Sequence, residues 1–213
     1  MDLLLDIAPK WRKPTQQRSR DRVDAILGAA RRLISKGGIA DLKMRELSEA
    51  AGVPMGTIYQ FFPDKDAVVA CIFARQMEEA LQALQNAYSS GTSIAEILNS
   101  TDGFAESLYK RWRNDRVMAE IWSIVQANRT LRHYAVASSR VSADIISKAL
   151  KPYLKKGVST SRLWHVCFLN SDLYDSAIRT ALDFSDREAL TLIKEYALMS
   201  RRHLIGLLDK RRK

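Results

Sequence analysis

The sequence predicts an all-α protein with about nine helices, and three observations support this fold class. Apolar residues recur at intervals of three and four, the period of an amphipathic helix, along most of the 213 residues. No segment shows the alternation of apolar and polar residues that is typical of a half-buried strand. Only 9 glycines and 5 prolines interrupt the chain, and 46% of its residues are hydrophobic, which is enough for a substantial core.

The first predicted helix begins at Thr15, which can cap it, and ends near Lys36. The pair Gly37-Gly38 ends the helix because glycine adopts the backbone conformations that close helices. Residues 1–14 are expected to form a flexible basic arm. The helix buries a stripe of apolar residues at helical spacing: Val23, Ile26, Leu27, Ala30, Leu33 and Ile34.

The segment LKMRELSEAAGVPMGTIYQFFPDK, residues 42–65, predicts two short helices, at 45–51 and 55–62, joined by a tight turn. Gly52 supplies the positive φ that such a turn needs. Pro54 fixes φ where the second helix opens, and a third helix follows at once. This layout is that of a DNA-binding helix-turn-helix, whose second helix enters the major groove. Residues expected in its core are Met44, Leu47, Ala51, Val53, Ile58, Phe61 and Phe62.

The rest of the chain is predicted to form helices of varied length. A long helix is expected over 64–88, and Asp115 is predicted to cap a later one. A turn-like run at 99–103 separates two expected helices, at 93–98 and 104–112. Ser185 and Glu188 form a capping signal before the last helix, which ends near Leu208. Two further helices are expected, at 131–154 and 161–184.

From about Thr15 to Ile72 the chain resembles the DNA-binding domain of TetR-type transcriptional regulators. The resemblance rests on ILGAARRLISKGG in the first helix, on MRELSEAAGV, and on GTIYQFFPDKDAVV. The Gly-Thr-Ile-Tyr-x-x-Phe run followed by Lys-Asp is specific for this family among helix-turn-helix proteins. The resemblance implies a DNA-binding domain over 15–66 and a larger helical effector-binding and dimerisation domain over 67–213.

Nine residues are candidates for the DNA interface: Lys43, Arg45, Pro54, Met55, Gly56, Thr57, Tyr59, Gln60 and Lys65. The resemblance places Thr57, Tyr59 and Lys65 against phosphates. Gln60 has the donor and acceptor that pair bidentately with adenine. Gly56 permits close backbone approach, and the side chain of Met55 or Pro54 can touch a thymine methyl group.

Each of these roles has a structural alternative. Tyr59 can instead pack its ring on the first helix, and Gln60 can simply be exposed. Arg45 can contact phosphate or pair with Glu49 at i+4. Lys43 stands where the family commonly has a capping hydroxyl, so either Asp41 caps the helix a turn earlier or Lys43 contacts phosphate. Phe61 replaces the family's commoner polar aromatic and can be partly packed.

The net charge of +10 favours a polyanionic partner. Residues 8–36 alone contain nine basic residues and two acidic ones. We interpret this block as a surface that faces the phosphate backbone, with an ordinary solvated basic face as the alternative. The final run, residues 210–213, is entirely basic and is interpreted as a solubilising tail rather than a nucleic-acid site.

The resemblance further implies a homodimer formed through the last two helices and a small, mostly apolar effector bound among the middle helices. We predict that Trp122, Trp164, Phe168 and Asp172 line this effector site, with plain core packing as the alternative for the aromatic residues. Candidate dimer contacts on the last helix share alternating three- and four-residue spacing: Leu192, Tyr196, Met199, His203 and Leu207. A stripe in the core of a single chain would show the same spacing.

The sequence predicts no enzyme, no cofactor and no metal site. Three scattered histidines lack metal-ligand spacing, and no phosphate loop or nucleophile motif is present. Two distant cysteines and the lack of a membrane-length apolar run indicate a cytoplasmic protein. The predicted function is that of a sequence-specific regulator of transcription. It would repress by binding a palindromic operator as a homodimer and be released by its effector. The alternative is a helical architectural or nucleoid-type DNA-binding protein without an effector.

Overall fold

The computed structural model describes residues 16–89 and 93–209. Within these ranges the chain forms nine α-helices and one short 3-10 helix, so the predicted all-α class is confirmed. Among these residues, no helix combines the length and the apolar composition that a membrane span requires. The helices are α1 (Gln17–Gly37), α2 (Met44–Ala51), α3 (Met55–Phe61), α4 (Lys65–Ser89), α5 (Ile94–Arg113), α6 (Arg116–Ile124), α7 (Arg129–Leu150), α8 (Thr160–Ala181) and α9 (Asp186–Leu207). The arm predicted at 1–14, the cap predicted at Thr15 and the basic run at 210–213 lie outside the described residues.

The chain divides into two compact units. The first contains the residues up to Glu78 together with Asp115–Tyr134, and the second contains Glu79–Asn114 and the residues from Ala135 onward. In the first unit, the early part of α4 is buried almost completely, and Phe73 in α4 meets the ring of Trp122 in α6 edge-on at 5.2 Å. The functional boundary expected between residues 66 and 67 stays a prediction.

Helix α1 supplies the core of the first unit. Of its six predicted inward residues, five are buried and Leu33 is half-buried. The helix ends at the predicted place, where Gly38 adopts a φ of +83°. Helices α2 and α6 both pack on α1, and α3 packs on α2.

Helix α5 runs unbroken through the turn predicted at 99–103. The polar run and Gly103 suggested a break, yet the buried residues before and after it share one face at helical spacing. A glycine inside a helix costs about 1 kcal/mol relative to alanine, which burial of such a face can offset. Ser93 caps this helix by accepting a hydrogen bond from the N–H of Glu96 at 3.3 Å. The buried face comprises Ile97, Leu98, Ala105, Leu108, Tyr109 and Trp112.

In the second unit, α9 packs on both α8 and α5. Ser185 caps α9, as predicted, by accepting a hydrogen bond from the N–H of Glu188. Helix α7 is shorter than expected, because a 3-10 turn at Lys151–Tyr153 containing Pro152 follows it. Just after the C-terminal end of α9, Leu208 forms an isolated antiparallel β-bridge with Leu154.

Candidate nucleic-acid interface

The turn between α2 and α3 is fixed by local hydrogen bonds. Gly52 has a φ of +64°, the left-handed conformation predicted for it. The Ser48 hydroxyl donates to the Val53 carbonyl at 2.6 Å, and the N–H of Val53 donates back to the Ser48 carbonyl at 3.2 Å. From α1, the Arg32 guanidinium donates to the Ala50 carbonyl at 3.3 Å, near the negative end of the α2 dipole. The turn is therefore held by its own hydrogen bonds, and the end of α2 is tied to α1.

Helix α3 separates its core residues from its candidate reading residues. Ile58 is fully buried and Phe61 is 8% exposed, so Phe61 packs inward. By contrast, Tyr59 is 50% exposed and Gln60 is also exposed. Pro54 and Gly56 are exposed at the leading edge, and Met55 and Thr57 are half-buried. The predicted contact residues thus occupy the accessible side of a short helix whose other side is core.

The two basic candidates at the start of α2 form exposed ion pairs. Lys43 Nζ lies 3.3 Å from Glu46 Oε1, and Arg45 Nε lies 3.3 Å from Glu49 Oε1. The Arg45 side chain is 87% exposed, so water screens its pair, and such pairs contribute about 0–1 kcal/mol. A phosphate can replace either carboxylate at little cost. Lys43 occupies the N-cap position and makes no side-chain cap bond.

Lys65 has protein partners within the first unit. Its ammonium donates to the carbonyl oxygens of Ala40 at 3.1 Å and Ile39 at 3.4 Å, in the segment that precedes α2. The side chain is half-buried. Next to it, the Asp64 carboxylate accepts a hydrogen bond from the N–H of Ala67 at 2.7 Å and caps α4. Lys65 therefore ties the start of α4 to the turn before α2, a role the sequence did not suggest.

The helix-turn-helix rests on a frame of ion pairs and aromatic packing. Arg31 pairs with Asp115, which also caps α6, and Arg75 of α4 donates to Asp24 of α1 at 2.5 Å. The cap at Asp115 was predicted, but its pairing with Arg31 was not, because 84 residues separate the two. Trp122 is fully buried in this frame.

The four predicted effector-site residues do not all belong to one unit. Trp122 lies in the first unit, and Trp164, Phe168 and Asp172 lie on α8 in the second. The rings of Trp164 and Phe168 are stacked, with centroids 5.5 Å apart and an interplanar angle of 6°. Both rings are half-buried, and Asp172 is exposed. The indole N–H of Trp164 donates to Asp144 at 2.6 Å.

The second unit contains buried polar groups, among which the sequence did not single out Asp175. Tyr109 is 2% exposed and Asn170 is 8% exposed, and neither the Tyr109 hydroxyl nor the Asn170 amide nitrogen has a hydrogen-bond partner among the described residues. Burial raises the pKa of the Asp175 carboxyl to about 8, and the charge of Asp172 adds to the rise. The charge of Arg179 and a hydrogen bond from Ser139 oppose it.

The last two helices leave large apolar side chains exposed. On α8, Leu169 is 54% and Leu173 is 47% exposed, and on α9, Leu198 is 41% and Met199 is 56% exposed. We call these four residues the α8–α9 apolar face. Among the dimer contacts predicted on α9, Met199 and His203 are exposed, Leu192 and Tyr196 are half-buried, and Leu207 is buried in its own unit. For Leu207 the alternative of a stripe in the core of one chain therefore holds.

Comparison with known proteins matches residues 26–72 to the family described as bacterial regulatory proteins, tetR family. The chain is 25% identical over 191 residues to the HTH-type transcriptional repressor KstR of Mycolicibacterium smegmatis, covering 88% of both chains. It is 34% identical over 77 residues to the HTH-type transcriptional regulator EthR of Mycobacterium tuberculosis, covering 36% of each.

Solved structures show the same fold over most of the chain. GusR of Salmonella enterica aligns with a TM-score of 0.64 at 17% identity and covers 92% of this chain and 99% of its own. A TetR-family regulator from Pectobacterium atrosepticum aligns with a TM-score of 0.65 at 17% identity and covers 92% and 98%. At this level of identity the likeness supports the fold alone.

Proposed function

The chain belongs to the TetR family of helix-turn-helix transcriptional regulators, and from this premise we propose that it binds a palindromic operator as a homodimer and represses transcription. Binding of a small, mostly apolar effector in the second unit would release the operator. We place the protein in the cytoplasm, because bacterial DNA lies there.

The observation that carries the proposal is the arrangement of α3. Recognition of sequence needs side chains that reach base edges, and orientation needs donors that reach phosphates. Tyr59 and Gln60 stand exposed on a helix whose opposite side, Ile58 and Phe61, is fixed in the core. We assign Gln60 to base contact, and Thr57, Tyr59, Lys43 and Arg45 to phosphate contact.

Dimerisation is proposed because one helix-turn-helix makes few base contacts. A two-fold dimer reads two half-sites roughly 34–36 Å apart. The α8–α9 apolar face is the surface we assign to the partner chain, because monomers rarely leave such patches exposed without a function. This face lies on the last two helices, through which the resemblance implies dimerisation.

We place the effector site in the second unit, where Trp164, Phe168 and Asp172 remain candidates. Tyr109 and Asn170 are added because a buried donor without a partner is costly, and a ligand oxygen would relieve that cost. Both units contain part of α4, since Glu78 belongs to the first and Glu79 to the second. A shift of α4 on effector binding would therefore reach the unit that holds α3. The effector can shift this equilibrium only by its differential affinity for the two states.

An architectural protein would bind many sequences with similar affinity and a steep dependence on salt. A regulator should prefer its operator by roughly 10³-fold or more. The similarity to named repressors and regulators favours the regulator over the architectural alternative.

The test is selection from random duplexes by the purified full chain at physiological salt. We expect enrichment of one inverted repeat with half-sites about one DNA turn apart. Gln60→Ala should then relax the preference at one position of each half-site while the protein stays folded. Salt-sensitive binding without any enriched sequence would overturn the proposal in favour of the architectural alternative.

A further inference from the structure

A second concentration of positive charge lies outside the helix-turn-helix. Residues 145–171 contain five basic residues and no acidic one, and residues 201–213 contain six basic residues and one acidic one. The first stretch spans the end of α7, the connection to α8 and most of α8. We call Lys148, Lys151, Lys155, Lys156 and Arg162 the α7–α8 basic patch. All five side chains are exposed.

The end of α9 is fastened to this patch. Besides the bridge between Leu154 and Leu208, the N–H of Lys155 donates to the Leu207 carbonyl at 3.0 Å, and the N–H of Asp209 donates to the Tyr153 carbonyl at 2.8 Å. The Lys155 ammonium also donates to the Gly206 carbonyl at 2.7 Å. In the sequence, the four basic residues 210–213 follow this junction directly. These contacts join the connection that precedes α8 to the end of α9.

The patch borders an open groove of about 240 Å³ lined by Asp144, Ser147, Lys148, Lys151, Thr160 and Leu163. Thr160 is the first residue of α8, where backbone N–H groups and the helix dipole favour an anion. The one carboxylate in the groove, Asp144, accepts the hydrogen bond from Trp164. Among the described residues, Lys148, Lys151 and Lys156 form no ion pair, so their charge is available to an outside partner.

We propose that the α7–α8 basic patch binds the phosphate backbone of double-stranded DNA without reading its sequence, as a second DNA contact besides the helix-turn-helix. Lysines are compact, strongly hydrated charges that suit diffuse contact with phosphates. Each lysine that neutralises a phosphate releases counterions, which gives affinity without base contacts.

DNA is favoured over an anionic membrane because the patch has no apolar anchor. Proteins that lie on a membrane surface bury apolar side chains at the interface. No large exposed apolar side chain lies between Lys148 and Arg162. Those exposed among the described residues are Tyr59, Leu169, Leu173, Phe184, Leu198 and Met199. A chain whose helix-turn-helix already holds DNA also meets further DNA at a high effective concentration.

The test compares two triple variants of the full chain. The patch variant is Lys148→Gln, Lys151→Gln and Lys156→Gln, which leaves Lys155 and its backbone contact intact. The matched control removes the same charge from exposed positions elsewhere: Arg132→Gln, Arg187→Gln and Lys194→Gln. Binding of a labelled random-sequence duplex of about 20 bp is measured between roughly 50 and 200 mM salt. The measurement needs no operator, so its failure is distinct from failure of the proposed function.

We expect the patch variant to bind DNA about tenfold more weakly at the lowest salt. The slope of log affinity against log salt should also become shallower by about 2–3, because each lost phosphate contact lowers it by about 0.9. The control should change the slope far less. A charge-retaining variant with arginine at the three lysine positions should bind like the unchanged chain, which separates charge from folding. Equal slopes for the patch variant and the control would overturn the proposal. So would a patch variant that keeps its DNA affinity but no longer binds vesicles of phosphatidylcholine and phosphatidylserine.

Discussion

Arg31 of α1 and Asp115 at the start of α6 form an ion pair in which one carboxylate serves two helices. Asp115 Oδ1 accepts the N–H groups of Val117 at 3.1 Å and Met118 at 3.2 Å, which caps α6, and Oδ2 meets the Arg31 guanidinium. Helix α6 is thereby joined to the helix that buttresses the helix-turn-helix. The residue that starts one helix also fixes it against another.

The two tasks of Asp115 can be separated by substitution. Asparagine caps a helix about as well as aspartate, so Asp115→Asn should cost only the pair, which is partly exposed and contributes about 0–1 kcal/mol. Asp115→Ala removes the cap as well and should cost about 1 kcal/mol more in the free energy of unfolding. Arg31→Gln should match Asp115→Asn. Urea unfolding of the three variants checks this, and an equal cost for the asparagine and alanine variants would show that the cap contributes nothing.

The helix-turn-helix was predictable because its signals are local. Gly52 needed a positive φ, and the structure has one, while the inward faces of α1 and α3 follow from apolar spacing within a few turns. The caps at Asp115 and Ser185 are likewise readable from the residues that follow them. In each case the partner groups lie within four residues along the chain.

What the sequence could not supply depends on distant packing. Residues around Gly103 are typical of a turn, yet α5 continues through them because the buried residues on either side share one helical face. The ring of Trp122 packs edge-on against Phe73, and only the fold brings these two together. Leu207 and Met199 share the spacing of one stripe, although one is buried and the other is 56% exposed. Periodicity identifies an apolar face but does not say what covers it.

Lys65 has two candidate roles, contact with a DNA phosphate and stabilisation of the turn before α2, and the substitution Lys65→Ala tests both. As a phosphate contact, it would contribute about 0.9 to the salt slope of DNA binding. As the donor to the Ala40 and Ile39 carbonyls, it would contribute about 0.5–1.5 kcal/mol to folding. We expect Lys65→Ala to weaken binding to all sequences alike and also to lower the free energy of unfolding. Anisotropy titrations across salt, paired with urea unfolding, measure both. Unchanged stability would assign Lys65 to phosphate alone, and an unchanged salt slope would assign it to the turn.

The α8–α9 apolar face should be the site of self-association. Leu173→Glu places a charge where apolar surface would be buried, and an unpaired buried charge is strongly unfavourable. Because Leu173 is 47% exposed in the single chain, the monomer should stay folded. Light scattering coupled to size-exclusion chromatography should show a dimer for the unchanged chain and a monomer for this variant. Ser107→Glu, at an exposed position on α5, is the control and should remain dimeric. A dimeric Leu173→Glu chain would move the interface elsewhere.

The Asp175 carboxyl should make the second unit more stable at lower pH. Its pKa is raised by burial to about 8, from an ordinary value of 3.8. The folded chain therefore holds a proton that the unfolded chain has lost between these values, so stability is fully present below about pH 4 and falls as pH rises to about 8. Each unit of pKa difference corresponds to about 1.4 kcal/mol. Asp175→Asn removes part of the cost of burying an ionised carboxylate, so it should raise the free energy of unfolding by about 1–2 kcal/mol at pH 9. The gain should nearly vanish at about pH 3, below the ordinary value of 3.8, where both states of the unchanged chain are mostly protonated. Urea unfolding at the two pH values measures it, with the exposed Asp183→Asn as control. If Asp175→Asn is no more stable than the control at pH 9, the carboxyl does not carry this cost.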